Sequence, residues 1–186
     1  MKRFLALICI MLFMCGCNGT YDATAQGDVL RQKLLESKGC SFISIITADF
    51  GQLQYSFKLA CSVDEKGILN FTVLEPESIA DITGHIDDQS GNLSFDDTVL
   101  AFPHLAEGEI PPVCAPWLFY KALYGGYIRA GGVEDGACHL TIDDSFHGEN
   151  LVLELWLRDE LYPMKAEIIW EGRSLLMLEI QQFEYL

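Results

Sequence analysis

The sequence predicts an α+β protein that is mainly antiparallel β, with one long, strongly curved sheet whose apolar face is covered by an N-terminal helix and a short mid-chain helix. Three observations carry this. Runs of roughly 7–12 residues alternate apolar with polar side chains and are separated by Gly, Asp and Asn turns. Helical spacing is confined to Gly27–Lys38 and Ala115–Tyr124, after an apolar start to the chain. The length, 186 residues at 50% hydrophobic content, suits a single domain with an ordinary core.

Residues 1–16, MKRFLALICIMLFMCG, begin with Lys2 and Arg3, continue apolar from Phe4 to Cys15, and end on small Gly16 before Cys17. This is the pattern of a secretory signal. The apolar run is shorter than the roughly 20 residues that span a bilayer, and no later stretch reaches that length, so no transmembrane helix is expected after cleavage. Met14-Cys15-Gly16-Cys17 resembles the lipobox of bacterial lipoproteins. That resemblance implies lipidation of Cys17 and anchoring at the extracytoplasmic face of the cell membrane. Acyl chains there pass the affinity threshold that one chain alone misses.

The next segment, 17–26, reads as a polar tether, leaving 27–186 as the folded domain. The whole chain carries −15, from 12 Lys+Arg against 27 Asp+Glu; cleavage removes Lys2 and Arg3 and no acid, leaving −17. Such a surface repels phosphate backbones and anionic headgroups, which excludes nucleic acid as a partner and places the domain just off the bilayer.

Within the domain, Gly27–Lys38 (GDVLRQKLLESK) sets Leu30 and Leu34 one turn apart with Val29 near Lys33, and Gly39 provides a stop. From Cys40 onward the period becomes that of strands. In Tyr55–Val63 the odd positions are apolar; Asp64-Glu65-Lys66-Gly67 then turns the chain into Ile68–Leu74, forming a hairpin. Further strands are expected at Ala80–Ile86, Asn92–Phe95, Ala137–Ile142, Leu151–Arg158, Met164–Glu171 and Ser174–Tyr185. Turns separate them at 89–91, 148–150 and 171–173. Ala115–Tyr124 (APWLFYKALY) has Pro116 in its first turn, Gly125-Gly126 after its end and only Lys121 charged. A helix so apolar is covered on most sides or covers something apolar.

The alternation points Tyr55, Phe57, Leu59, Leu69, Phe71, Val73, Ile168 and Trp170 to the inner face, with Trp117 and Leu118 facing them from the helix. Ile82, Ile86, Phe95, Leu140, Ile142, Met164 and Ala166 share the pattern. If the helices leave the concavity partly open, these side chains line a cavity for an acyl or lipid-like ligand. The same alternation equally describes a solid core.

Several local runs resemble the LolA/LolB/RseB superfamily over about residues 27–186. They are Tyr55-Ser56-Phe57-Lys58-Leu59, Gly67-Ile68-Leu69 leading into Phe71-Thr72-Val73, Pro76-Glu77-Ser78-Ile79-Ala80-Asp81-Ile82, the Pro116-led helix, and Leu161-Tyr162-Pro163-Met164-Lys165-Ala166-Glu167-Ile168. The resemblance implies an incomplete antiparallel barrel with helices plugging its mouth, which binds acyl chains, lipoproteins or a regulatory partner. The lipid-anchored accessory proteins of spore-forming bacteria are the members most similar to this chain. An anchor at Cys17 argues against a carrier that shuttles between membranes.

Cys40, Cys61, Cys114 and Cys138 allow two disulfides in three connectivities, and the absence of C-x-x-C speaks against thioredoxin-like redox work or a compact zinc site. Cys61, on the dry face of its strand, reads as a buried thiol or half of a bridge. His85, His104, His139 and His147 are scattered and read as solvated residues, not metal ligands. Asp143, Asp144, Ser145 and His147 supply the ingredients of a hydrolase triad without a G-x-S-x-G elbow. Asp87-Asp88-Gln89-Ser90-Gly91-Asn92 lacks the order of a calcium loop.

No cofactor, metal or catalytic role is therefore expected. The leading reading is a membrane-anchored lipoprotein binding a hydrophobic ligand in the concavity. The alternative is a non-catalytic accessory that binds and positions an envelope enzyme or regulator.

Overall fold

The structure, a computed structural model, describes residues 22–104, 110–145, 150–158 and 161–186. The signal segment, Cys17, most of the expected tether and His147 lie outside the described residues. Helix α1 (Ala23–Glu36) precedes β1 (Gly39–Asp49), β2 (Gln54–Asp64), β3 (Leu69–Glu75), β4 (Thr83–Ile86), β5 (Gly91–Phe95) and β6 (Thr98–Phe102). Helix α2 (Ala115–Gly125) leads into β7 (Tyr127–Glu134), β8 (Ala137–Asp143), β9 (Leu151–Leu157), β10 (Pro163–Trp170) and β11 (Arg173–Tyr185). The strands form one open 11-stranded sheet in the order β6-β5-β4-β3-β2-β1-β11-β10-β9-β8-β7. Every pairing is antiparallel. This unclosed, curved sheet with two helices is the architecture that the superfamily resemblance implies.

Helix α1 starts four residues before Gly27. Asp22 caps it, its Oδ1 accepting from the Thr24 and Ala25 amides at 3.1 and 3.2 Å, so residues 23–26 are its first turn and not tether. Ala23, Gly27, Leu30 and Leu34 make its buried stripe, and Val29 is exposed. The close approach to the sheet depends on glycine from both sides. A Cβ on Gly27 would fall 2.8 Å from Ile128 and 2.9 Å from Leu140, and one on Gly131 of β7 would fall 2.8 Å from the Ala23 Cβ.

Strands β6 and β7, the two sheet edges, are absent from the sequence expectation. The Val99-Leu100-Ala101-Phe102 run and the Gly131-Gly132 run both lack a polar alternation, so neither carries the period-2 signal of a strand. Strand β4 also starts late: a short 3-10 turn at Glu77–Ile79 is followed by a turn at 80–81, so the expected Ala80–Ile86 strand is strand only from Thr83.

Three residues expected to point inward are exposed, each for a local reason. Met164 is turned out because the β9–β10 register shifts between Pro163 and Lys165, which puts Pro163 inside instead. Tyr55 lies on the part of the β1–β2 hairpin that projects to Phe50, against which its ring packs edge-on at 6.4 Å. Phe95 sits at the tip of the β5–β6 hairpin, whose turn residues Asp96 and Asp97 adopt φ of 49° and 64°. The helices pack mainly over β1, β7, β8, β10 and β11, so this tip is left uncovered.

The concave side holds one contiguous apolar cluster from α1 to β11. Helix α2 lies within it, with Ala115 to Tyr120 and Ala122-Leu123 buried. The two helices are tied together by Arg31, whose Nε donates to the Leu123 carbonyl at 2.9 Å and whose guanidinium also donates to the Gly126 carbonyl. These are terminal carbonyls of α2, where a cation also complements the helix dipole.

Candidate functional site: a filled concavity and an uncharged convex face

The ten residues expected to line a cavity have three fates. Leu59, Leu69, Phe71, Val73, Trp117, Leu118 and Ile168 are 0–5% exposed in the common cluster. Phe57 and Trp170 are partly buried against it. Tyr55 is 52% exposed and outside it. The sheet and α2 thus bring most of these side chains together as packed core.

Phe119, which the sequence reading did not single out, joins α2 to β1 in this core. It is fully buried, meets Phe42 edge-on at 5.5 Å, and Phe42 in turn stacks on Phe183 at 5.9 Å. The signal for it was the covered-all-round character of Ala115–Tyr124, which gives no face priority to Trp117 and Leu118.

An open groove of about 960 Å3 lies to one side, between α1 and the β7–β8 and β9–β10 connections. Val133, Cys138, Leu157 and Met164 give it an apolar wall, and Lys33 and Arg158 stand at it as cations. A smaller pocket of about 380 Å3 opens where α2 meets the β2–β3 and β4–β5 turns.

The convex face of β1–β6 is different in kind. Two rows of cross-strand neighbours run over six strands: Ile43, Ala60, Thr72, Thr83, Ser94 and Val99, then Ser41, Ser62, Asn70, His85, Asn92 and Ala101. These twelve positions include no Lys, Arg, Asp or Glu, in a chain that is 21% charged. Period-2 alternation places them opposite the core. A shallow depression of about 490 Å3 lies among them. Asn92 Nδ2 and His85 Nε2 are 3.1 Å apart within the second row, and the Lys58–Glu75 ion pair at 3.5 Å borders the field.

On the outer face of β7–β10, by contrast, charge is dense. The His139 ring lies between Glu154, 2.8 Å from Nε2, and Glu134, 3.6 Å from Nδ1, and stacks on Trp156 with centroids 4.6 Å apart. Trp156 Nε1 donates to Glu134, the Thr141 hydroxyl donates to Glu154, and Lys165 caps the indole at 4.3 Å. These groups face one another across adjacent strands.

Cys40, Cys61, Cys114 and Cys138 are free thiols, all buried. Burial pushes Cys40 and Cys114 up to about 12 and Cys61 further, with the nearby Cys40 adding to the last. Neutral thiols of this kind are poor nucleophiles. Ser145 serves a turn: its amide donates to Asp143 at 3.0 Å and its hydroxyl accepts from the Leu151 amide at 3.2 Å. Asp87 likewise accepts the Ser90 and Gln89 amides, which hold its carboxyl below the usual range. Among the described residues no group of three or more His, Cys, Asp or Glu side chains is placed to hold a metal ion, and no helix is long and apolar enough to cross a membrane.

No family model and no curated protein matches the chain. Solved structures with a similar backbone course include an uncharacterized conserved protein from Thermus thermophilus, at 11% identity, 88% of each chain and a TM-score of 0.49. Another is a LolA superfamily protein from Nitrosomonas europaea, at 8% identity over 86% of this chain and 93% of that one, with a TM-score of 0.43. A third is the structure of the CwlD amidase from Clostridioides difficile in complex with the GerS lipoprotein, matched at 13% identity over 86% of this chain and 93% of that one, with a TM-score of 0.40.

Proposed function

We propose that the chain is a non-catalytic envelope lipoprotein, moored through an acylated Cys17, that docks and positions a protein partner on the uncharged convex face of its half-barrel. The observation carrying this reading is the pair of charge-free rows across β1–β6. A surface carrying −15 overall repels most acidic proteins, and desolvating charge is costly, so a field of Ser, Thr, Asn and small apolar side chains is where a partner is approached most cheaply. The burial of Leu59, Leu69, Phe71, Val73, Trp117, Leu118 and Ile168 in the common core supports it too, since an accessory role needs no internal ligand.

Cross-linking in intact cells tests it. The wild-type chain is expected to trap a protein in stoichiometric amount, and Thr72→Glu with Ser94→Glu, which place charge in the field at little cost to stability, to lose it. Retention of the same complexes by the charged variant refutes the docking face. Release of Cys17→Ala from the membrane fraction, with loss of the lipid mass from the wild-type N-terminus, checks the anchor.

A second reading, an acyl or lipid-like ligand, is supported by the groove beside α1, where an apolar wall meets Lys33 and Arg158. It moves the ligand from the concavity to its flank. Native mass spectrometry is expected to find a bound amphiphile that Lys33→Glu with Arg158→Glu removes; an empty wild-type protein ends this reading.

A further inference from the structure

The pocket of about 380 Å3 at the end of α2 is used by neither reading. Its floor comes from α2, with Trp117, Tyr120, Lys121 and Tyr124, and its rim from the β2–β3 turn and from Asp88 and Asp144. The aromatic rings form a ladder: Tyr124 stacks on Tyr120 at 5.7 Å, and Lys121 Nζ lies 4.7 Å over the Trp117 ring. Tyr124 is 47% exposed, whereas Trp117 and Tyr120 are held by the core at 2% and 7%. One aromatic is thus presented to solvent on a rigid base.

The polar groups are arranged in a complementary way. Asp144 Oδ2 is buried with no hydrogen-bond partner among the described residues. A buried acceptor without a donor is destabilising, and a ligand hydroxyl would satisfy it. The carboxylates of Glu65, Asp88 and Asp144 outnumber the ammonium groups of Lys66 and Lys121 by one, so an anion gains nothing from the local field. The site offers a neutral molecule both acceptors and donors beside an exposed aromatic ring. A pyranose has this pattern, with hydroxyls around its edge and a C–H face that packs on an aromatic ring. The volume suits one or two such rings.

We propose that this pocket is a saccharide-binding subsite, with Tyr124 as the stacking platform and Asp144 as the hydroxyl acceptor. It stands independently of the docking face and of the groove beside α1.

Calorimetric titration of the full chain in detergent with chitotriose and with cellotriose tests it. Saturable binding of at least one trisaccharide is expected, weakened about tenfold or more by Tyr124→Ala and by Asp144→Asn, each with a melting temperature near wild type. Tyr124→Phe is expected to retain binding, since the ring and not the hydroxyl makes the platform. No saturable heat from either sugar overturns the proposal, as does equal binding by Tyr124→Ala. Saturable binding of spermidine that Asp144→Asn abolishes, with no response to the sugars, identifies a cation site and overturns it equally.

Discussion

Replacing Phe119 by alanine tests whether α2 is the plug of the half-barrel or a removable cover. The side chain is fully buried, and its ring meets Phe42 at 5.5 Å in an edge-on contact that continues to Phe183. Truncating a buried phenylalanine costs about 3–5 kcal/mol, of which roughly 0.5–1.5 belongs to the aromatic pair. In a domain of this length each kcal/mol moves the melting temperature by about 2–4 °C, so a fall of roughly 6–20 °C is expected. The assay is thermal unfolding followed by circular dichroism, run beside binding of a fluorescent hydrophobic dye to the folded protein. Leu100→Ser, at a side chain 63% exposed, serves as control and is expected to stay within about 1 kcal/mol of wild type. In the wild type the dye finds little to enter; in Phe119→Ala it finds the new void. A melting point within about 2 °C of wild type, or equal dye binding by both proteins, refutes the claim that the concavity is filled.

Three other outcomes are expected. The thiols of Cys40 and Cys114, pushed from 9.0 up to about 12 by burial, stay neutral when folded, as does Cys61. Their contribution is fully present below pH 9 and is lost as pH rises towards about 12, where the unfolded chain ionises first; for Cys40 the loss is on the order of 4 kcal/mol, read as falling denaturant midpoints that Cys40→Ala makes less steep. Arg31→Met removes donors to the Leu123 and Gly126 carbonyls and is expected to cost about 2–3 kcal/mol in urea unfolding, with an unchanged midpoint counting against the helix clamp. Gly39 has φ of 135° and a Cβ there would stand 1.9 Å from the Val63 carbonyl oxygen, so Gly39→Ala is expected to lower stability by more than about 2 kcal/mol, and a wild-type melting curve would contradict the geometry.

Sequence periodicity determined that this chain builds an antiparallel sheet with a dry face and two helices, because a period of two or of 3.6 is written residue by residue. Leu59, Leu69, Phe71 and Ile168 could be assigned to the inner face for that reason alone. Where a bulge intervenes the rule fails locally: the shift beside Met164 exchanges inside for outside, and hydrogen-bond register is a property of two strands, not of one. Edge strands β6 and β7 escaped for another cause, since the Val99–Phe102 and Gly131-Gly132 runs carry no apolar–polar alternation to read.

Whether the concavity is hollow was never legible, because alternation fixes which way a side chain points and not the volume left between facing side chains. The placement of Phe119 against Phe42 is a contact that only the folded chain supplies. The uncharged convex face is likewise a product of register: Ile43, Ala60, Thr72, Thr83, Ser94 and Val99 are scattered over 57 positions of the chain and become neighbours only when six strands align.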